Sequence, residues 1–116
     1  MKKTIPTVET WCLPEGLDEK ELLKLHQGIV AEMASYMETG VKDENDMLNL
    51  FPKDHMTYGL GSEIKVEITD LPQVSGNIVY ALAADVGMFV KTMFPQANVY
   101  CKAECFNPEA GAWSSN

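Results

Sequence analysis

The spacing of apolar residues switches between two periods along the chain, and each switch predicts a new element. Residues 6–13 (PTVETWCL) are rich in β-branched and aromatic types and stop at Pro14-Glu15-Gly16, the signature of a strand that ends in a turn. Asp18 with Glu21 three residues later forms a capping box, and Leu22, Leu25/His26, Ile29, Met33 and Tyr36/Met37 then recur at helical spacing until Gly40 supplies a stop. That face must be buried. Residues 46–51 (DMLNLF) form a short apolar run closed by Pro52, which predicts a strand buried on both faces, and Lys53 to Gly61 reads as a loop.

From Ser62 to Thr69 the alternation is the clearest in the chain, Ile64, Val66 and Ile68 against Lys65, Glu67 and Thr69, until Leu71-Pro72 ends it. Ser75 is the expected N-cap of a second helix, whose stripe of Ile78, Leu82, Val86, Phe89/Val90 and Met93 is closed by Pro95. This helix is less polar than the first. Val99, Cys101, Ala103 and Cys105 then alternate with Tyr100, Lys102, Glu104 and Phe106, a last strand followed by the turn-rich tail Asn107 to Asn116.

The order is strand, helix, strand, repeated once, with the second unit starting near residue 60. A crossover helix of roughly 18 to 22 residues can return the chain parallel to its start with right-handed sense. Two such βαβ units predict an α/β fold, one four-stranded mixed sheet with both helices on one face. The other face is expected to carry Ile, Val, Trp or Tyr side chains and so to be covered by copies of the chain. An antiparallel ferredoxin-like sheet has the same element order, and periodicity does not separate the two.

Composition narrows the function classes. The 116 residues suit a single domain, and apolar runs fall far short of the ~20 residues of a membrane span, so no membrane is expected. Seventeen acids against nine bases give a net charge of -8, and every base is lysine. Nucleic acid is therefore not an expected partner, since there is no basic stripe and no guanidinium fork. Met1-Lys2-Lys3-Thr4-Ile5-Pro6 is followed by Thr7-Val8-Glu9-Thr10 and not by an apolar core, so a cytoplasmic location is expected. Cys12, Cys101 and Cys105 form no CxxC pair and no zinc-ligand spacing with His26 or His55, so reduced thiols and no metal are expected. The glycines of the Met56 to Gly61 loop lack a phosphate-loop lysine pattern, and no cofactor is predicted.

Several segments carry more than a period. Thr39-Gly40, Phe51-Pro52, Met56-Thr57-Tyr58-Gly59 and Ser62-Glu63, and at the other end Val99-Tyr100, Asn107, Gly111-Ala112-Trp113 and Ser114-Ser115-Asn116, are similar to proteins like macrophage migration inhibitory factor (MIF). Pro6-Thr7-Val8-Glu9 and the Glu15-Gly16 turn resemble the opening of the 4-oxalocrotonate tautomerases. The chain thus resembles the tautomerase superfamily over nearly its whole length. The resemblance implies a tautomerase/MIF fold over 1–116, with an N-terminal extension at 1–5, βαβ units at 6–58 and 59–106, and a tail at 107–116. It also implies parallel strands within each unit, a homotrimer, and keto-enol isomerisation of a small 2-oxo acid.

The family's base is an amino-terminal proline, whose free secondary amine takes a proton alpha to a carbonyl and returns it elsewhere. The matching residue is Pro6, which five residues precede. Inside a chain its nitrogen is an amide, with the lone pair drawn into the carbonyl. Pro6 therefore has two readings, a base after trimming or a strand-start proline in a non-catalytic trimeric binding module. The substrate-binding residues implied are Lys42, one position beyond the family's lysine because Val41 intervenes, Tyr100 at the pocket wall, Lys102 where MIF-like relatives carry an asparagine, and Trp113 in the tail. Each also has a plain reading, a solvated lysine or interface packing. The arginines of the bacterial branch have no counterpart, and Leu17 stands near where one is expected, which disfavours dicarboxylates. Ile64 to Ile68 occupies the strand that carries the family's CxxC motif, so no thiol oxidoreductase activity is expected.

Overall fold

Glu63–Leu71 (β3) becomes one of two central strands in the computed structural model, which describes residues 4–53 and 63–114. Its neighbour is Thr7–Trp11 (β1), and the edges are Leu48–Leu50 (β2) and Asn98–Cys105 (β4), giving the order β2-β1-β3-β4. β1 runs parallel to β2 and β3 parallel to β4, while β1 and β3 are antiparallel with Thr7 opposite Thr69, Glu9 opposite Glu67 and Trp11 opposite Lys65. Each half is therefore a parallel βαβ unit, and the ferredoxin-like alternative is excluded.

The crossover helices are Glu19–Ala34 (α1) and Gly76–Met93 (α2). Asp18 caps the first, accepting the Glu21 N–H at 2.8 Å while the Glu21 carboxylate accepts the Asp18 N–H at 3.4 Å. Ser75 caps the second through the Ile78 N–H. Leu25, Ile29 and Met33 of α1 and Leu82, Val86 and Val90 of α2 form one cluster with Val8, Ile64, Val66 and Ile68, so both helices cover the same face of the sheet. Thr10 lies in this layer with a buried hydroxyl that meets no partner.

Three expectations change. The first helix stops at Ala34 and not near Gly40, because Ser35 ends it, Tyr36 is extended, and Met37–Thr39 forms a separate 3₁₀ turn that Gly40 caps at φ 76°. Met37 consequently leaves the buried stripe and is 90% exposed. β2 is not buried on both faces. It is a three-residue edge strand whose Asn49 faces the helices beside Val8, while Leu48 and Leu50 lie on the open face at 42% and 43% exposure. The open face is also more polar than expected, since Ile64, Val66 and Ile68 all turn to the helices and leave Glu9, Trp11, Lys65, Glu67, Tyr100 and Lys102 outside. The loop expected beyond Lys53, with His55 and the Met56 to Ser62 segment, lies outside the described residues.

Two glycines set the spacing of the layers. A Cβ at Gly28 would fall 1.8 Å from Cζ of Phe89, so the ring of α2 occupies the room that a side chain on α1 would take. A Cβ at Gly87 would come within 3.2 Å of Cβ of Cys101, which lets α2 settle closely on β4. Just past the end of α1, Tyr36 Oη donates to Asp85 Oδ2 of α2 at 2.5 Å, and this hydrogen bond is the main reason its phenol is held above its ordinary 10.0.

Gly28→Ala is expected to lower stability by about 1 kcal/mol in urea unfolding, because displacing Phe89 outweighs the gain in helix propensity. In a Phe89→Leu background the same change should stabilise. Partial burial, and next the Asp85 charge, raise the Glu32 carboxyl above 4.5. The folded chain thus holds this proton more tightly than the unfolded chain. Its contribution is present below pH 4.5 and lost as pH rises through the raised value. Urea midpoints should fall across that window, and Glu32→Gln should flatten the fall.

Candidate functional site

Parallel pairing within each half determines which residues share an end of the sheet. Pro6 is buried just before β1, and its carbonyl accepts the Leu48 N–H at 2.9 Å, which ties it to the start of β2. Thr7 follows, opposite Thr69 of β3, with its hydroxyl donating to Ile5 O at 3.1 Å. Ile5 is half-buried and is acyl-linked to the Pro6 nitrogen, so in this chain that nitrogen has no basic lone pair.

Lys42 belongs to the same end, in the connection between α1 and β2. Its N–H donates to Asp46 Oδ2 at 2.9 Å, and Asp43 caps the 3₁₀ turn Glu44–Asp46. The residue is exposed and is followed in the chain by three acids, Asp43, Glu44 and Asp46, whose charge weakens the local field for an anion. One of these reaches back to the helix, because Glu44 Oε1 lies 2.7 Å from His26 Nε2. The other ring nitrogen, Nδ1, lies 3.0 Å from Asn49 Nδ2, so the neutral ring accepts from Asn49 and donates to Glu44. His26 is thus a satisfied boundary histidine.

Trp113 reaches this end from the C-terminal tail. Phe106 N–H donates to Leu71 O and Gln73 Nε2 to Phe106 O, each at 2.8 Å, and the Asn107 side chain accepts from Glu109, which turns the chain back. A cavity of about 380 Å³ results between the tail and the ends of β3 and β4, lined by Thr69, Asp70, Glu104, Phe106 and Trp113 among others. Asp70 sits at φ 59° where the β3–β4 register slips between Ile68 and Leu71. Neither that bulge nor its carboxylate was foreseen, and the sequence offered only the Asp-Leu-Pro ending as a signal.

Tyr100 lies elsewhere. It pairs with Lys65, which pairs with Trp11. That row is five residues along β1 from Pro6, so about 16 Å separates them at about 3.3 Å per residue. Lys102 is in the middle row, beside Glu67 and then Glu9, with its ammonium 3.5 Å from Glu104. Within one chain, then, Pro6, Lys42 and Trp113 share an end of the sheet, while Tyr100 and Lys102 do not join them. Tyr100 instead lines a groove of about 560 Å³ between α2 and the edge of β4, with Tyr80, Met88 and Cys101. No group of His, Cys, Asp and Glu among the described residues could hold a metal, and no described helix is long and apolar enough to cross a membrane.

No protein-family model and no curated protein matches the chain in sequence. Solved structures match its fold. The chain is similar to a protein of unknown function from Vibrio cholerae O1 biovar eltor, with TM-score 0.68 at 9% identity over 95% of this chain and 84% of that one. It is similar to a fused 4-OT that forms an asymmetric trimer, with TM-score 0.66 at 14% identity over 86% and 85% of the two chains. MIF2 of Leishmania major gives 0.62 at 12% identity over 90% and 91%. The chain thus shares the fold of the 4-OT and MIF2 structures, the fold that the resemblance in sequence implied.

Burial pushes the Cys101 thiol up to about 12, against a smaller opposing effect of its hydrogen bond with the Gly87 backbone. At pH 8 its thiolate fraction is then on the order of 10⁻⁴. Alkylation by iodoacetamide, followed site by site by mass spectrometry, should leave Cys101 as the slowest of the three cysteines in the native chain and level the rates in urea.

Proposed function

We propose that this is a tautomerase-like protein, a homotrimer that interconverts the keto and enol forms of a small 2-oxo acid with Pro6 as base once residues 1–5 are removed. The observation that carries the reading is the place of Pro6, at the start of β1 and held by Leu48, in a fold shared with tautomerase-superfamily structures. Freed of Ile5, its nitrogen becomes a secondary amine that takes the proton alpha to the carbonyl, while the electron pair of that C–H bond moves into an enolate. Returning the proton to the oxygen or to the carbon completes either direction, and no other reactant is required.

The developing oxyanion needs a hydroxyl donor and a cation nearby. Tyr100 and Lys102 supply them in this reading. Because they stand away from Pro6 along the sheet, they come from a neighbouring copy, and three pockets at subunit boundaries follow. Trp113 walls the pocket and Lys42 stands at its rim. A second reading has its own observation. With Ile5 in place the Pro6 nitrogen is an amide, and the fold then serves as a non-catalytic trimeric module that binds a small ligand or a partner.

Amino-terminal sequencing of protein from its native host shows which terminus exists. A chain beginning at Pro6 should accelerate the enol-to-keto conversion of phenylpyruvate by about 10²-fold over a chain beginning at Met1, and Pro6→Gly in the shortened chain should abolish the gain. Equal rates in all three would leave the binding module as the function.

A further inference from the structure

The register of the sheet sets a charge beside the nitrogen that the isomerase reading uses. The ladder between β1 and β3 closes with Thr7 opposite Thr69, so the next residues on the two strands are Pro6 and Asp70. Opposite Cα atoms in such a ladder lie about 5 Å apart, which keeps a carboxylate on Asp70 within Coulomb range of an amine on Pro6. Asp70 is half-buried, lines the cavity under the tail, and has no side-chain partner among the described residues. Its φ of 59° lies in the left-handed region, which aspartate enters readily. Charged groups on the other elements are engaged elsewhere. On the β2 side Lys42 is exposed and Asp46 accepts its N–H at 2.9 Å, and on β4 Glu104 has the Lys102 ammonium at 3.5 Å. In the last turn of α1, Glu32 feels the charge of Asp85 on α2, and the first turn of α2 carries no acid.

We propose that Asp70 is the positioning residue for the Pro6 base, its carboxylate serving as counter-ion to the prolyl ammonium. This role rests on the reading of Pro6 as a freed amine and adds to it the group that sets the strength of the base. Proton abstraction turns the neutral amine into an ammonium as the C–H electron pair moves into the enolate. Asp70 stabilises that ammonium, while the neighbouring copy's Lys102, in the same reading, faces the enolate. A stronger base holds its proton to higher pH, so the same carboxylate moves the working range upward. Burial of Pro6 acts in the opposite sense, because it disfavours the charged amine. Chains that differ at residue 70 alone separate the two effects.

No described helix or strand begins before Thr7, so a chain that starts at Pro6 keeps them all. In that chain, grown with 15N-labelled proline, Pro6 carries the one proline nitrogen that is an amine, and NMR reads its titration whether or not substrate is turned over. Asp70→Asn should lower the midpoint of this titration by about half a unit to one unit of pH. Asp70→Gly also suits the left-handed backbone, so it should do the same and decides the matter where the asparagine variant fails to fold. Glu104→Gln should move the midpoint less. In phenylpyruvate conversion, Asp70→Asn should run about twofold faster than the parent at low pH, where more of its amine is free, and about twofold slower at high pH, where its base is weaker. A role in folding alone would lower the rate at every pH. Asp70 loses the role if the charge-free variants titrate as the parent does, if Glu104→Gln moves the midpoint as far, or if the pH–rate profiles of an active chain do not cross. An Asp70-dependent midpoint in a chain without any gain in rate would sink the isomerase reading and leave the pairing of Asp70 with Pro6 standing.

Discussion

The antiparallel pairing of β1 with β3 is the constraint on which the rest of the structure depends. Each half is a strand, a crossover helix and a parallel strand, and such a unit alone has one apolar face and too little core to be stable. Joining the halves through their first strands puts Val8 opposite Ile68 and Thr10 opposite Val66, which merges the two helix-facing layers into one. The same ladder sets Glu9 directly opposite Glu67 on the open side. Like charges so placed are unfavourable by a few tenths of a kcal/mol, and Lys102 beside Glu67 offsets part of that. The arrangement persists because a one-residue slip would turn Ile64, Val66 and Ile68 to water, a far larger loss.

Much of this was legible where local chemistry and tertiary demand agree. The capping box of Asp18 and Glu21, the Ser75 cap, the β3 alternation and the α2 stripe all appear where their residues place them. The misreadings occur where a local period outlasts its element. Tyr36 and Met37 continue the α1 stripe, yet Ser35 bonds to the Glu32 carbonyl and the helix ends, so Tyr36 turns to Asp85 and Met37 to solvent. The run around β2 looked fully buried because two leucines flank an asparagine. The pairing instead sends the asparagine inward to His26 and the leucines outward, an outcome that hydrophobicity alone does not disclose.

The candidate site was legible only in pieces. Pro6, Lys42 and Trp113 were singled out by resemblance and lie toward one end of the sheet, whereas Tyr100 and Lys102 lie along it. Sequence order carries no trace of this division, since it follows from which end of each strand is entered first. Asp70 was missed for a related reason. A bulge is a property of two strands together, and the β3 sequence shows no irregularity until β4 is laid against it.

Charge then sets the terms for any ligand. With no arginine in the chain, a carboxylate ligand must rely on lysine, and the two lysines assigned to the pocket are both compromised: Lys42 is followed in the chain by Asp43, Glu44 and Asp46, and the Lys102 ammonium is 3.5 Å from Glu104. Lysine offers a hydrated point charge and no fork, so it fixes an anion's orientation less well than a guanidinium does. On the proposed reading an oxo acid would therefore depend on a neighbouring copy to add its Lys102 to this end of the sheet. Assembly is not an accessory to chemistry in such a chain. In the proposed trimer it is the step that would bring a neighbour's ammonium group to an end of the sheet whose cavity one protomer lines with Asp70 and Glu104 and no lysine.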